Sequence, residues 1–134
     1  MNKPNQQPQG KPTTKRKGFA RVPHAFKYSV AGLKSGWQEP AFAFEAKLAL
    51  PMLPLAFVIG RHWLEVAMLL ATVVLVLIAE LLNTAVESAI DRISEDHHEL
   101  SKRAKDLGSA AVLLALLLCA GVWLAAITER VLHL

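Results

Sequence analysis

A run of twenty-two residues, 107–128, contains no formally charged side chain, and this run constrains the fold more than any other feature. A helix needs about 20 apolar residues to cross the hydrocarbon core of a bilayer, so the run predicts a transmembrane helix. With 134 residues, of which 53% are hydrophobic, the chain is too short for two ordinary domains and suits one small membrane domain.

Two further segments predict membrane-spanning helices. The segment of about 63–89 is apolar over a sufficient length. The segment of about 41–60 reaches that length only when Glu45 and Lys47 are included, and we expect these two charges to lie among the lipid headgroups. Three spans in so short a chain predict an all-α membrane protein.

The part of the chain before the first span divides in two. Residues 1–17 combine prolines with polar and basic residues, a composition that buries too little apolar surface to fold, and they predict a disordered tail. Residues 18–134 are interpreted as the membrane domain. Within it, residues 19–37 carry apolar side chains at spacings of three and four with basic residues among them, which predicts an amphipathic helix on the membrane surface. Its apolar positions are Phe19, Val22, Phe26, Val30, Leu33 and Trp37.

The distribution of positive charge predicts the orientation. Nine of the fifteen Lys and Arg residues precede residue 48, four lie in residues 90–106, and one each lies in residues 60–62 and after the third span. Cytoplasmic loops carry the excess of Lys and Arg, so we expect the N-terminus and residues 90–106 in the cytoplasm and the C-terminus outside. The net charge of +4 then favours an anionic membrane surface over nucleic acid as the partner.

Four residues form a polar stripe on the second span: Glu80, Asn83, Glu87 and Asp91. On a helix, Glu80, Glu87 and Asp91 project within about 40° of one another. The span reaches the cytoplasmic boundary near Glu80, which leaves the later carboxylates within reach of water. Ionisable residues in a span are costly and usually functional. The alternative is that the stripe only holds helices together.

Several kinds of active site are excluded. The chain has no G-x-x-x-x-G-K-[ST] phosphate loop and no G-x-G-x-x-G dinucleotide fingerprint. The adjacent His97 and His98 have no Cys nearby to complete a zinc site, and no Ser or Cys has the spacing of a nucleophile. Carboxylates and Lys105 at a membrane surface remain, and they suit a divalent cation and phosphoryl transfer.

A resemblance to a known family rests on residues 79–115, which read AELLNTAVESAIDRISEDHHELSKRAKDLGSAAVLLA. This segment resembles the signature of the prokaryotic diacylglycerol kinase family, including its E-x-x-N-x-x-x-E-x-x-x-D run and the later K-D-x-G-S-A-A. A weaker match extends upstream through Gly18-Phe19-Ala20-Arg21, Tyr28, Gly32-Leu33-Lys34 and Trp37 to Glu39-Pro40-Ala41-Phe42 and Glu45.

The resemblance implies a multi-pass enzyme of the bacterial inner membrane. It would be a homotrimer of three-span protomers, with active sites shared between neighbouring subunits. The γ-phosphate of ATP would pass to the primary hydroxyl of diacylglycerol, a membrane lipid, with Mg²⁺ as cofactor and phosphatidate as product.

The resemblance also implies roles for individual residues. Glu80 would be the general base that takes the hydroxyl proton. Glu39 and Glu87 would hold the divalent metal, and Asn83 would orient this cluster. Ser109 would lie on the lipid side. The residues that would bind ATP are Arg21, Tyr28, Glu39, Glu87, Asp96, His97, His98, Lys105 and Asp106.

Three alternatives remain open. Against the family's usual order, one residue is missing between Trp37 and Glu39, so Glu45 competes with Glu39 as the metal ligand of the first span. The lipid alcohol would be undecaprenol instead of diacylglycerol if the chain were an undecaprenol kinase of the same family. A non-catalytic membrane scaffold would use the polar stripe for assembly alone.

Overall fold

The computed structural model describes residues 22–94 and 96–132, and these residues fold into four α-helices. The last three helices are each long and apolar enough to cross a membrane, which confirms the expectation of an all-α membrane protein with three spans. The predicted tail, residues 1–17, lies outside the described residues. The helices are α1 (Val22–Gly36), α2 (Pro40–Ile59), α3 (Trp63–Ile93) and α4 (Glu99–Leu132).

Two of the helices are longer than the apolar segments that predict them. α3 continues to Ile93, and α4 begins at Glu99, well before residue 107. Apolarity marks only the part of a helix that lies in hydrocarbon, whereas Leu, Lys, Arg and Ala also favour a helix in water. The charged residues 99–106 therefore form about the first two turns of α4.

α3 lies between α2 and α4 and provides most of the interhelical packing. Small side chains such as Ala49, Ala56 and Ala115 are buried where helices meet, and their size lets the backbones approach closely. Many larger apolar side chains point outward, as expected of a surface that contacts lipid. The buried cluster consists of Ala49, Ala56, Leu69, Val73, Val76, Ala115, Cys119 and Trp123.

Two buried hydrogen bonds converge on one carbonyl in the apolar part of the bundle. Trp123 Nε1 of α4 donates to Leu69 O of α3 at 3.3 Å. Thr72 Oγ1 donates to the same oxygen at 2.9 Å. Polar contacts between membrane helices contribute about 0.6 kcal/mol on average. The contact of Trp123 with Leu69 thus helps to set the register of α4 along α3.

α1 contacts the bundle mainly at its last residue. Gly36 is buried, and a Cβ at this position would lie 2.6 Å from Leu81 Cδ2 of α3 and 3.3 Å from Phe42 Cδ1 of α2. Glycine therefore permits the close approach of α1. The other residues of α1 are exposed. α1 lies within the predicted surface helix of residues 19–37, of which residues 19–21 lie outside the described residues, and its contact with lipid stays a prediction.

The opposite end of the bundle is closed by the turn between α2 and α3. Arg61 Nη2 donates to Glu129 O of α4 at 3.4 Å, and Arg61 Nη1 lies 3.9 Å from Glu129 Oε1. Glu65 Oε2 accepts a hydrogen bond from the Arg61 backbone N–H at 2.7 Å. These contacts lie at the start of α3, remote from the polar stripe in its second half.

Candidate active site

The polar stripe runs along α3 from the packed interior to an exposed helix end. Glu80 and Asn83 are buried, with 5% and 9% of their surface exposed. Glu87 is half-buried and Asp91 is exposed. α3 is continuous through all four positions, so the alignment expected from their spacing is present. One buried carboxylate and two more accessible ones therefore lie along a single helix.

Asn83 connects the polar stripe to α4. Its Nδ2 donates a hydrogen bond to Glu87 Oε1, one turn further along α3, at 3.0 Å. Its Oδ1 is buried and has no hydrogen-bond partner in the described part of the chain. Gly108 of α4 lies directly against this amide, and a Cβ there would overlap Asn83 Oδ1. Glycine therefore lets α4 pass close to Asn83 and leaves one buried acceptor available.

α2 contributes a second carboxylate to the interior. Glu45 Oε2 is buried and lacks a hydrogen-bond partner among residues 22–94 and 96–132. Glu45 lines a cavity together with Val76 and Leu77 of α3, about one turn before Glu80 on that helix. Glu39 occupies the N-cap of α2, is exposed, and makes no side-chain capping hydrogen bond. Within one chain, Glu45 is thus the α2 carboxylate that faces the polar stripe.

Two lysines at the start of α4 each form an ion pair with a carboxylate. Lys105 Nζ lies 2.5 Å from Asp91 Oδ1, which joins α4 to the last turn of α3. Lys102 Nζ lies 2.7 Å from Asp106 Oδ2 within α4. The four side chains are between 39% and 61% exposed, so both pairs are accessible to water and to soluble ligands.

A polar cavity of about 260 Å³ lies where α3 ends and α4 begins. The connecting segment is held by short-range hydrogen bonds, in which the Asp96 N–H donates to Ser94 Oγ at 2.9 Å and the Leu100 N–H donates to His98 Nδ1 at 3.2 Å. Five residues that the family resemblance implies in ATP binding line this cavity together. They are Asp96, His97, His98, Lys105 and Asp106.

The remaining expected site residues are placed differently. Tyr28 lies on α1, is 72% exposed, and is not among the residues that line the polar cavity. Ser109 is exposed on α4, directly after Gly108. Arg21 lies outside the described residues. One chain therefore brings together the residues at the α3–α4 junction that are expected to bind ATP, but Tyr28 does not line the same cavity.

Comparison with known proteins identifies the family to which this site belongs. The family model described as prokaryotic diacylglycerol kinase matches residues 27–127, a range that includes the polar stripe and the polar cavity. The chain belongs to the prokaryotic diacylglycerol kinase family.

Curated relatives named diacylglycerol kinase agree with this membership. The protein of Haemophilus influenzae is 45% identical over 107 residues, which cover 79% of this chain and 91% of that protein. The protein of Escherichia coli K12 is 45% identical over 112 residues, 79% of this chain and 88% of its own length. The protein of Pseudomonas aeruginosa is 40% identical over 107 residues, 79% and 87% respectively. The family expected from the sequence motifs is confirmed.

A prokaryotic diacylglycerol kinase uses a nucleotide co-substrate, and in phosphoryl transfer a divalent metal accompanies the nucleotide. The side chains of this chain can be compared with the ligands that such a metal needs. Among the described residues, no three His, Cys, Asp or Glu side chains converge on one point. Mg²⁺ usually takes only one or two carboxylates from protein and completes its shell with phosphate oxygens and water. The carboxylate of Glu87, which accepts a hydrogen bond from Asn83, has the chemistry of such a ligand. The residues present therefore fit Mg²⁺.

An apolar groove of about 420 Å³ lies between α3 and α4 on the same side as Asn83. Asn83 is the one polar side chain among its lining residues, and its unpaired Oδ1 is a buried acceptor. Such a groove suits an apolar chain that carries one hydrogen-bond donor. Its other lining residues are Leu75, Ile78, Ala79, Leu82, Val86, Gly108, Ala111, Leu114, Ala115 and Leu118.

Sequence reasoning does not single out three features of this site. Gly108 has a signal in the sequence that indicates a close contact, because a glycine inside a helix often marks a close approach of another backbone or side chain. Asp91 was recognised as part of the polar stripe, but its ion pair with Lys105 joins two helices and has no signature in the linear spacing. The approach of Glu45 to Glu80 also joins two helices and also has no signature in the linear spacing.

Proposed function

We propose that this protein transfers the γ-phosphate of ATP to the primary hydroxyl of diacylglycerol and so forms phosphatidate. The observation that carries this proposal is the gradient along α3, where a buried carboxylate at Glu80 leads through Asn83 and Glu87 to the exposed Asp91–Lys105 pair. A kinase that acts on a membrane lipid must bring the lipid and the soluble nucleotide together where the buried interior of the bundle meets water. The curated relatives named diacylglycerol kinase support this choice of substrate.

Glu80 is proposed as the general base. Its carboxylate would accept the proton of the lipid hydroxyl while the hydroxyl oxygen attacks the γ-phosphorus, the bond from that phosphorus to the bridging oxygen breaks, and ADP leaves. Burial of Glu80, which is 5% exposed, agrees with contact to a lipid rather than to the soluble nucleotide. An amide at this position would keep the shape of the side chain and would accept no proton.

The phosphate end of ATP is proposed to bind where α3 meets α4. Lys105 would neutralise phosphate charge, and the side chains of the polar cavity would contact the nucleotide. Glu87 and Glu39 would hold Mg²⁺, with Asn83 fixing the orientation of Glu87. Bound Mg²⁺ would neutralise the developing charge on the phosphates. Glu45, whose buried Oε2 has no hydrogen-bond partner among the described residues and which packs against α3, is the alternative to Glu39.

The lipid is proposed to approach from the side of the apolar groove. The groove would accept an acyl chain, with Asn83 as the one polar side chain among its lining residues. Ser109, exposed beside Gly108, would contact the lipid headgroup region.

A homotrimer with shared active sites is proposed as the working form. Tyr28 and Glu39 are exposed and lie apart from the polar cavity in one chain, which supports their use by the site of a neighbouring subunit. Arg21 is proposed to act together with Tyr28 and Glu39 in the site of that neighbouring subunit. The distribution of Lys and Arg supports a nucleotide site on the cytoplasmic face, and the bacterial inner membrane is proposed as the location.

The experiment that tests this proposal measures ATP-dependent phosphorylation of diacylglycerol and, separately, of undecaprenol by purified protein in mixed micelles. We expect Mg²⁺-dependent formation of phosphatidate with a higher kcat/KM than for undecaprenol. A strong preference for undecaprenol would change the lipid and keep the mechanism. Failure to phosphorylate either lipid by folded protein would favour the membrane scaffold and overturn the proposal.

A further inference from the structure

The ion pair between Lys105 and Asp91 places a cation on the polar stripe. Lys105 belongs to α4, but its Nζ lies 2.5 Å from Asp91 Oδ1 on α3. Asp91 follows Glu87 by one helical turn on the same face, because residues four apart on a helix are neighbours. The Lys105 ammonium is therefore held about one turn beyond the carboxylate that Asn83 orients.

This placement depends on Asp91. A lysine ammonium sits on a flexible four-carbon stem with many rotamers, and an unpaired one would sample positions away from α3. The second lysine of the cavity, Lys102, pairs with Asp106 on its own helix and does not bridge to α3. Among the ion pairs of the described residues, Lys105–Asp91 alone joins α3 to α4 in this cavity.

We propose that Asp91 is a positioning residue, which holds the Lys105 ammonium over the face of α3 that carries Glu87, where the phosphate chain of the nucleotide binds. This inference rests on the proposed function and adds a residue to it. Asp91 does not contact the reacting atoms. Its carboxylate limits the positions of the ammonium before ATP arrives, so less conformational entropy is lost when the phosphates bind.

The test compares Asp91→Asn with wild type, Asp91→Glu and a matched control. Glu129→Gln is the control, because it also neutralises the carboxylate of an exposed ion pair between elements, at the opposite end of the bundle. KM for MgATP, KM for the lipid and kcat are measured in mixed micelles. The dissociation constant of a non-hydrolysable ATP analogue is measured by equilibrium binding, and thermal unfolding in detergent reports on folding.

We expect Asp91→Asn to raise KM for MgATP and the analogue dissociation constant by about two- to fivefold, the range of an exposed ion pair. KM for the lipid should change by less than about twofold. Asp91→Glu should recover part of the loss, and Glu129→Gln should behave as wild type. In a Lys105→Gln background, Asp91→Asn should not weaken analogue binding further, because its effect passes through Lys105.

Other outcomes would overturn the inference. Tighter analogue binding in Asp91→Asn would show that Asp91 competes with phosphate for Lys105. Unchanged nucleotide binding, or equal losses for both substrates together with a lower unfolding temperature, would assign Asp91 a structural role only. If wild type phosphorylates the lipid while one of these results holds, the inference fails and the proposed function stands. If folded wild type lacks activity and analogue binding, the proposed function itself fails.

Discussion

Asn83 Nδ2 donates a hydrogen bond to Glu87 Oε1 at 3.0 Å, while its Oδ1 is buried without a hydrogen-bond partner among the described residues. One side chain thus orients a half-buried carboxylate and presents an acceptor to the groove between α3 and α4. Asn83 is therefore the residue at which the proposed metal site and the proposed lipid site meet.

Asn83→Ala should weaken the use of Mg²⁺. Without its amide partner, Glu87 loses its fixed orientation, and the loss of such partners typically costs about 10- to 100-fold in metal affinity or activity. The Mg²⁺ concentration for half-maximal lipid phosphorylation should therefore rise by about tenfold or more. Ser88→Ala, at an exposed position of the same helix, serves as the control. An unchanged Mg²⁺ dependence in Asn83→Ala would contradict this role of the amide.

Gly108→Ala should impair activity even though alanine favours a helix over glycine by about 1 kcal/mol. The added Cβ would overlap Asn83 Oδ1, so Asn83 or α4 must shift. Gly121→Ala is the matched control on the same helix, because no atom of residues 22–94 or 96–132 lies within 4 Å of its added Cβ. We expect kcat/KM to fall by about tenfold or more in Gly108→Ala and to stay near wild type in Gly121→Ala. Equal activity of the two variants would rule out the close contact.

The sequence predicted the features that one helix determines by itself. The three spans follow from apolar length, and the polar stripe follows from the spacing of Glu80, Glu87 and Asp91, since α3 is continuous. The apolar run predicts only the membrane-spanning part of α4, because the first two turns of this helix are charged.

Contacts between helices could not be predicted in the same way. The approach of Glu45 to Glu80 and of Gly108 to Asn83 depends on the register of α2 and α4 along α3. That register is set by packing and by bonds such as Trp123 Nε1 to Leu69 O, which leave no simple spacing in the sequence. The roles of all the site residues remain predictions, and Glu39 and Tyr28 are moreover exposed in one chain.

The orientation of the chain should be visible by thiol labelling. Cys119 is buried and is the one cysteine of the sequence, so Cys119→Ala gives a background without thiols. With a membrane-impermeant reagent on spheroplasts, Val131→Cys should react and Arg103→Cys should not, because residues 90–106 are expected in the cytoplasm. Both should react after lysis. The reverse pattern on intact spheroplasts would place the polar cavity outside and contradict the proposed site.

The most direct test of the proposed mechanism is the turnover of Glu80→Gln at matched folding, measured alongside binding of a non-hydrolysable ATP analogue. The substitution keeps the size of the side chain and removes its ability to accept a proton. We predict that kcat for lipid phosphorylation falls by about 10²- to 10⁴-fold, the usual contribution of a general base, while the analogue dissociation constant stays within about twofold of wild type. A variant that folds, binds the analogue and retains most of its turnover would show that Glu80 is not the base.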